Sequence, residues 1–147
     1  MLMADIWSLK KRSEVMAKIR KTDSSPERTL RTYLRHAGIR YSTYGTLPGT
    51  PDIVIKDWKL AVFVHGCFWH GCSRHYRSPH TNVEYWSTKL RKNRARDKAI
   101  AERIRSIGWH QAVIWECQVK RNPRQVVERL LKRREMESGC ALSRDIL

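Results

Sequence analysis

The densest group of chemically capable side chains lies in residues 65–75, which read His65-Gly66-Cys67-Phe68-Trp69-His70-Gly71-Cys72-Ser73-Arg74-His75. The segment holds three histidines, two cysteines and two large aromatic residues, a density that core packing does not explain. Thiolates and imidazoles are ligands that zinc prefers, and histidine also transfers protons near neutral pH. The segment therefore predicts a metal site, acid–base chemistry, or both.

A carboxylate, Asp52, is the second candidate. It follows Pro51 at the start of a predicted strand, and the next strand ends at Val64 and His65. An acid at the mouth of one strand, beside the backbone carbonyls at the end of its neighbour, offers the oxygen ligands that Mg²⁺ prefers. Many restriction-type nucleases carry an acid-x-Lys triplet on that second strand, but the triplet Phe63-Val64-His65 contains neither residue. Taken alone, an aspartate at a turn is more often structural.

The net charge indicates the class of partner. The 147 residues include 30 Lys and Arg against 14 Asp and Glu, a formal charge of +16. Self-repulsion of this size destabilises a compact monomer unless a polyanion binds, so nucleic acid is the leading candidate partner and an anionic membrane surface is the second. The longest apolar run, Leu60–Val64, is far too short to span a bilayer.

The cysteines are expected to be reduced. Residues 1–21 carry charges inside every apolar stretch, which argues against a secretory signal, so we expect a cytoplasmic protein. Disulfides are rare in that compartment, and metal binding is favoured over a bridge for Cys67 and Cys72. Cys140 falls in a predicted tail, and we expect it to remain a free thiol.

The hydrophobic pattern predicts an α/β fold, with a small mixed β-sheet flanked by helices in one domain, residues 1–147. Ser25 is the expected N-cap of the second helix, with Pro26 in its first turn. The predicted elements are a basic helix 5–21, a helix 26–37, strands 52–55 and 60–64, an irregular segment 65–81, a helix 82–107, a strand 111–115, a helix from 123, and a loose tail 139–147.

The long predicted helix carries an unusual stripe. Eight residues share one face because they are spaced by alternating steps of three and four. Two of them, Asn93 and Asp97, are polar and sit mid-stripe, where burial costs free energy unless hydrogen bonds compensate. A functional site is the favoured interpretation, and a partly solvated stripe is the alternative. The other members are Val83, Trp86, Leu90, Ile100, Ile104 and Ile107.

These stretches together resemble the very short patch repair (Vsr) endonucleases, which nick DNA beside T:G mismatches left by deamination of 5-methylcytosine. The most specific features are the run His65–His70 and the distant Trp115-Glu116-Cys117. The resemblance covers about residues 10–118 and implies a restriction-endonuclease-like fold. The other matching stretches are Arg12-Ser13, Glu27, Leu47-Pro48-Gly49, Pro51-Asp52, Glu84, Trp86, Lys92-Asn93, Arg96-Asp97 and Gly108-Trp109.

The resemblance implies a catalytic metal site and a histidine pair. Asp52 and the main-chain carbonyl of Val64 match ligands of Mg²⁺, and Glu27 matches an acid that reaches the metal through water. His70 matches the catalytic histidine. The further residues implied are His65, which acts on the phosphate, Asp97, which falls where its carboxylate orients His70, and Asn93, which supports the same site from the helix stripe.

The resemblance also supplies a structural Zn²⁺. Cys67, Cys72, His75 and Cys117 provide four ligands of suitable type. The family usually has a run of histidines here and a cysteine close to the position of His75. The fourth ligand therefore has an alternative, His80.

Three aromatic residues match a wedge that the family inserts beside the mismatch, namely Phe68, Trp69 and Trp86. A mismatched step costs least to unstack, which favours insertion there. The alternative is plain core packing, which is the interpretation for Trp58, Trp109 and Trp115. The basic helix in residues 1–21 suits an arm laid against the duplex, and a solvated basic face is its alternative.

The resemblance thus predicts a Mg²⁺-dependent enzyme that nicks one strand of double-stranded DNA beside a T:G mismatch. We expect a monomer in the cytoplasm, associated with a prokaryotic nucleoid and not with a membrane, and the resemblance admits other mismatch-repair proteins as partners. Two alternatives stay open. One is a restriction-type endonuclease of the same fold, which cuts both strands, and the other is a zinc-stabilised DNA-binding module without catalysis.

Overall fold

The computed structural model describes Lys10 and residues 23–142, with side chains up to residue 139. The predicted N-terminal helix lies outside the described residues except for Lys10, which is helical. No helix in the described part combines the length and apolarity needed to cross a membrane. The elements are α1 (Ser25–His36), β1 (Ile53–Ile55), a 3₁₀ turn (Lys56–Trp58), β2 (Leu60–His65), α2 (Cys67–His70), α3 (Val83–Ser106), β3 (His110–Trp115), α4 (Glu116–Arg121) and α5 (Pro123–Leu142).

Strand β2 is the centre of a three-stranded sheet. Strand β1 pairs with it antiparallel and β3 pairs with it parallel. A short turn suffices for the antiparallel pair, whereas the parallel pair needs a crossover, which contains α3. The turn closes at Lys59, whose φ of 48° is left-handed. This arrangement confirms the predicted small mixed sheet flanked by helices.

Apolar side chains fill both faces of the sheet. Leu60 and Val62 of β2 belong to a core cluster with residues of α1, α4 and α5. Ala61 and Phe63 point to the other face, where they form a second cluster with residues of α3. Because strand side chains alternate between faces, His65 follows Ala61 and Phe63 onto the α3 side. The sheet therefore directs this histidine towards the helix that carries the polar pair.

Several element boundaries differ from those predicted. The N-cap of α1 is Ser24, one residue earlier than expected, and its side chain accepts no hydrogen bond from the backbone N–H groups of the first turn. Helices α2 and α4, with four and six residues, were not predicted, because neither is long enough to show helical periodicity. Helix α5 continues to Leu142, so 139–142 are helical where a loose tail was expected. Residues 143–147 lie outside the described part.

Candidate active site and cysteine cluster

Asp52 lies at the open edge of the sheet beside the end of β2. Its backbone N–H donates to the Val62 carbonyl at 3.0 Å, and its Oδ2 accepts a hydrogen bond from the Val64 N–H at 2.7 Å. Val64 lies two residues beyond the last β1–β2 pair, Ile53 opposite Val62. The N–H and C=O of one strand residue point to the same side, so the Val64 carbonyl also faces the Asp52 edge. The Asp52 carboxylate and the Val64 carbonyl are therefore directed to the same edge, with no strand of the described residues between them.

Burial and a second carboxylate, that of Glu27, both raise the pKa of Asp52. Glu27 is buried, and its oxygens accept hydrogen bonds from the Asp23 backbone N–H at 2.8 Å and the Ser24 Oγ at 2.9 Å. Burial, with a smaller contribution from the negative charge of Glu27, raises the pKa of Asp52 to about 6 against the opposing hydrogen bond from Val64. A divalent cation would relieve this repulsion, so the oxygen donors fit a hard cation such as Mg²⁺.

His65, His70 and Asp97 form a compact group on the α3 face of the sheet, with candidate ligand atoms within 4.8 Å of one another. The two imidazole rings are stacked, and His70 Nδ1 lies 2.5 Å from Asp97 Oδ2. An ionised carboxylate can only accept, so this contact places the His70 proton on Nδ1 and leaves Nε2 basic. Burial, followed by the charge of His70, lowers the pKa of His65 to about 4, so His65 is neutral near pH 7.

The polar residues of the α3 stripe have partners in α2. Asn93 Nδ2 donates to the Trp69 carbonyl at 2.8 Å, one helical turn from the contact between Asp97 and His70. Both ends of the stripe are solvent-exposed, with Val83 at 50% and Ile107 at 51% exposure. The middle of the stripe therefore faces the histidine segment, and its polarity is compensated by hydrogen bonds to that segment.

Cys67, Cys72, His75 and Cys117 bring one ligand atom each to within 4.8 Å of the others. Cys72 Sγ lies 3.9 Å from both His75 Nδ1 and Cys117 Sγ. The four residues come from α2, the loop that follows it and the start of α4. His80 is not part of any such group among the described residues. Three thiols and one imidazole are the donor set of a closed zinc site, so these residues fit the ion.

The thiols differ in how readily they ionise. The backbone N–H of Arg74 and the His75 side chain lower the pKa of Cys72 to about 6, which favours the thiolate that binds metal. Burial raises the pKa of Cys67 to about 12. Metal binding at the cluster would therefore release a proton from Cys67.

Phe68, Trp69 and Trp86 form one aromatic cluster at the surface. Their ring centroids are 5.2 to 6.0 Å apart, and all three side chains are half-buried. Lys89 Nζ lies 5.3 Å from the Trp69 ring centroid, within cation–π range. The groove between them is also lined by Tyr76, Leu90 and Asn93. The three rings are therefore partly accessible to solvent, whereas the side chains of a hydrophobic core are not.

The tryptophans predicted as core residues lie elsewhere. Trp58 and Trp109 pack, partly buried, against the two core clusters. Trp115 is half-buried, with its ring centroid 5.5 Å from that of His65. The first two therefore support the fold, and the third also borders the histidine pair.

Sequence reasoning missed two contributors to these sites. Arg31, one turn after Glu27 on α1, places a positive charge that lowers the pKa of Asp52. The Glu116 carboxylate accepts the Cys67 backbone N–H at 3.0 Å across 49 residues of sequence. Only the spacing of four between Glu27 and Arg31 offered a signal, because it places both on one helix face. Nothing in the local sequence links Glu116 to α2.

Comparisons with known proteins identify the family of this chain. A family model described as DNA mismatch endonuclease Vsr matches residues 4–76. The type II nicking enzyme V.XorIIP of Xanthomonas oryzae pv. oryzae is 40% identical over 119 residues, covering 80% of this chain and 88% of that protein. The DNA mismatch endonuclease Vsr of Escherichia coli (strain K12) is 33% identical over 135 residues, covering 90% and 86%. The chain therefore belongs to the Vsr family of DNA mismatch endonucleases.

Proposed function

We propose that this endonuclease uses Mg²⁺ to nick one strand of duplex DNA beside a T:G mismatch produced by deamination of 5-methylcytosine, and so initiates very short patch repair. The observation that carries the proposal is the 2.7 Å contact between Asp52 Oδ2 and the Val64 N–H, which joins a carboxylate to the end of β2. His65, the next residue, begins the histidine group. Relatives named as nicking enzymes support cleavage of one strand.

His70 is the proposed proton acceptor. Its Nδ1–H is held by Asp97 at 2.5 Å, so Nε2 is free to take a proton from the attacking water. The Asp97 carboxylate then stabilises the positive charge that develops on the ring. His65, neutral because of its burial, donates a hydrogen bond to the scissile phosphate.

Asp52 and the Val64 carbonyl would hold Mg²⁺, with Glu27 reaching it through water. When bound, the ion polarises the scissile phosphate and stabilises the leaving oxygen. The support is the donor chemistry: the charge of buried Glu27 raises the pKa of Asp52, so the two carboxylates lie near enough to interact. Pro51-Asp52 at a strand mouth also supports a kinship with restriction-endonuclease folds, although the second acid and the lysine of that pattern are missing from 63–65.

Cys67, Cys72, His75 and Cys117 would hold a structural Zn²⁺. Four protein ligands leave no open coordination position, so the ion supports folding and not chemistry. This cluster would connect α2 and the loop that follows it to the start of α4, which comes after α3 and β3 in the chain. It thereby anchors the backbone on which Phe68, Trp69 and His70 lie.

Mismatch recognition is assigned to the aromatic cluster of Phe68, Trp69 and Trp86. Base stacking on exposed aromatic rings is worth about 1–3 kcal/mol per base, and a mismatched step opens at the lowest cost. The net charge of +16 supplies sequence-independent attraction to the phosphates. The basic residues of 1–21 would contact the duplex as an arm. We take residues 1–147 as one domain that acts as a monomer.

The test uses synthetic duplexes longer than the footprint of the protein, with each strand labelled in turn. Matched and T:G duplexes are incubated with the zinc-containing enzyme, with and without Mg²⁺. Nicking of only the thymine-containing strand of the T:G duplex, and only with Mg²⁺, is the expected result. Cleavage of both strands of matched DNA would select a restriction-type enzyme. Binding without any cleavage would indicate a non-catalytic module and overturn the proposal.

A further inference from the structure

Gly71 connects His70 to Cys72 and is fitted closely to α3. Its φ is +69°, a left-handed conformation that glycine adopts at little cost. A Cβ at this position would lie 2.5 Å from Arg94 Nη2 and 3.0 Å from Leu90 Cδ1. Arg94 Nη2 donates a hydrogen bond to the Gly71 carbonyl at 3.1 Å. The left-handed backbone and the lack of room for a Cβ therefore both favour glycine where α3 packs against residue 71.

Helix α2 depends on such outside contacts for its geometry. It has four residues, and a single helical turn is unstable by itself. The carbonyl one residue before His70 accepts from Asn93, and the carbonyl one residue after it accepts from Arg94. Asp97 holds the ring between them. Three side chains of α3 therefore fix the backbone on both sides of His70 and the orientation of its imidazole.

We infer that Arg94 is a positioning residue for the nicking reaction. Through the Gly71 carbonyl it holds the end of α2, so that His70 stays against Asp97 and stacked on His65. The inference rests on the proposed function, because it takes His70 as the proton acceptor. Arg94 was not among the predicted site residues. Its side chain is exposed, so the contact with Gly71, and not burial, is what gives it a role.

Arg94→Ala tests the inference. The variant is expected to nick a T:G duplex about 10-fold more slowly in single turnover, the loss typical when a group that orients a functional side chain is removed. Its Kd for the same duplex should stay within about twofold of wild type, because the recognition surface is intact. Arg94→Lys keeps a donor and should recover most of the rate. Arg91→Ala is the matched control, since Arg91 is an exposed arginine of α3 that bonds to Thr88 Oγ1 and not to α2.

A spectroscopic measurement separates positioning from general destabilisation. The side-chain ¹H–¹⁵N signals of the zinc-containing protein should move for His70 in Arg94→Ala, whereas those of exposed His110 on β3 should not. Zinc content should equal that of wild type. Gly71→Ala should shift the same His70 signals, because its Cβ would lie 2.5 Å from Arg94 Nη2. The double variant should nick no more slowly than the slower single variant, because both changes disrupt the contact between Arg94 and residue 71.

Three outcomes would overturn the inference. A nicking rate for Arg94→Ala within about twofold of wild type, with unmoved His70 signals, leaves Arg94 without a positioning role. Equal loss of affinity for matched and T:G duplexes makes Arg94 a phosphate contact instead. If the wild-type enzyme itself fails to nick T:G DNA, the proposed function fails, and a shift of the His70 signals then shows only that Arg94 orders α2.

Discussion

The imidazole rings of His65 and His70 lie face to face, with centroids 3.8 Å apart and planes inclined by 12°. Two protonated rings at this separation repel each other, so double protonation is disfavoured. Burial and the charge of His70 lower the pKa of His65 to about 4, so His65 is the ring that stays neutral. We therefore propose His70, whose Nδ1 is held by Asp97, as the ring that accepts the proton.

Asp97→Asn is expected to slow single-turnover nicking about 10- to 100-fold with little change in Kd. An asparagine can present its NH₂ group to Nδ1 and so favour the tautomer whose Nε2 is protonated and cannot accept a proton. Glu102→Gln is the control, because Glu102 is an exposed acid further along α3. A wild-type rate for Asp97→Asn would show that His70 needs no carboxylate.

Asp52→Asn is expected to abolish Mg²⁺-dependent nicking and to leave DNA binding intact. An amide keeps the hydrogen bond from the Val64 N–H but removes the charge that a cation needs. The measurement is nicking against Mg²⁺ concentration, with a binding titration on the same duplex. Asp57→Asn serves as control, because Asp57 is exposed and pairs with Arg40. Near-normal turnover in Asp52→Asn would contradict the assignment of Asp52 as a ligand of Mg²⁺.

The same variant should be more stable than wild type at pH 7.5 without Mg²⁺. Burial raises the pKa of Asp52 from 3.8 to about 6, so the ionised carboxylate destabilises the fold above pH 6. At 1.36 kcal/mol per pKa unit the ceiling is about 3 kcal/mol, and partial solvent exposure reduces it to about 1–2 kcal/mol. As pH falls from 6 to 3.8, the folded wild type takes up a proton on Asp52 before the unfolded chain does. The difference in stability between the variant and wild type should therefore shrink. Thermal unfolding of both proteins at pH 7.5 and 4.5 measures this stability difference. A difference that is larger at pH 4.5 would contradict the prediction.

Elemental analysis should find about one zinc per chain, as four protein ligands require. His75→Ala should lose zinc or solubility, because the remaining three thiols leave the site open. His80→Ala is the matched control and should keep the full zinc content. Zinc loss from His80→Ala, with full retention in His75→Ala, would reassign the fourth ligand.

Trp86→Ala should weaken binding to a T:G duplex about 5- to 150-fold, which corresponds to the loss of 1–3 kcal/mol of base stacking. Binding to matched DNA should change little, because the lysines and arginines that contact phosphates are untouched. Tyr44→Ala, which removes an aromatic side chain that is 85% exposed and outside the cluster, should have no effect. All titrations use one salt concentration. Equal losses on both duplexes would make Trp86 a structural residue.

His70→Ala should give the opposite pattern to Trp86→Ala. The aromatic cluster does not contain His70, so the preference for T:G over matched DNA should persist. Nicking should be lost, because the proposed proton acceptor is gone. Affinity and single-turnover rate measured on the same two duplexes separate recognition from chemistry. A His70→Ala enzyme that still nicks would show that another group accepts the proton.

Residue types and local spacing were enough to predict the β1–β2 hairpin, helix α3 and the soft ligands at Cys67 and Cys72. Each of these depends on neighbours a few positions apart, because strand and helix periodicities are local properties. The same periodicity flagged Asn93 and Asp97 as misplaced in an apolar stripe. It could not name their partners, because hydrogen bonds to another segment leave no mark on the helix itself.

The tertiary structure alone decided which distant groups meet. Only the parallel pairing of β2 and β3 puts Cys117 beside Cys72 and Glu116 beside Cys67, and pairing over such separations is set by packing of the whole sheet. Helix α2 was invisible to periodicity because four residues are too few to show a repeat, and its hydrogen bond from Asn93 comes from another segment. The choice of His75 over His80 in the cysteine cluster likewise needed the loop in three dimensions, since both histidines have the right chemistry and only one has its ligand atom in reach.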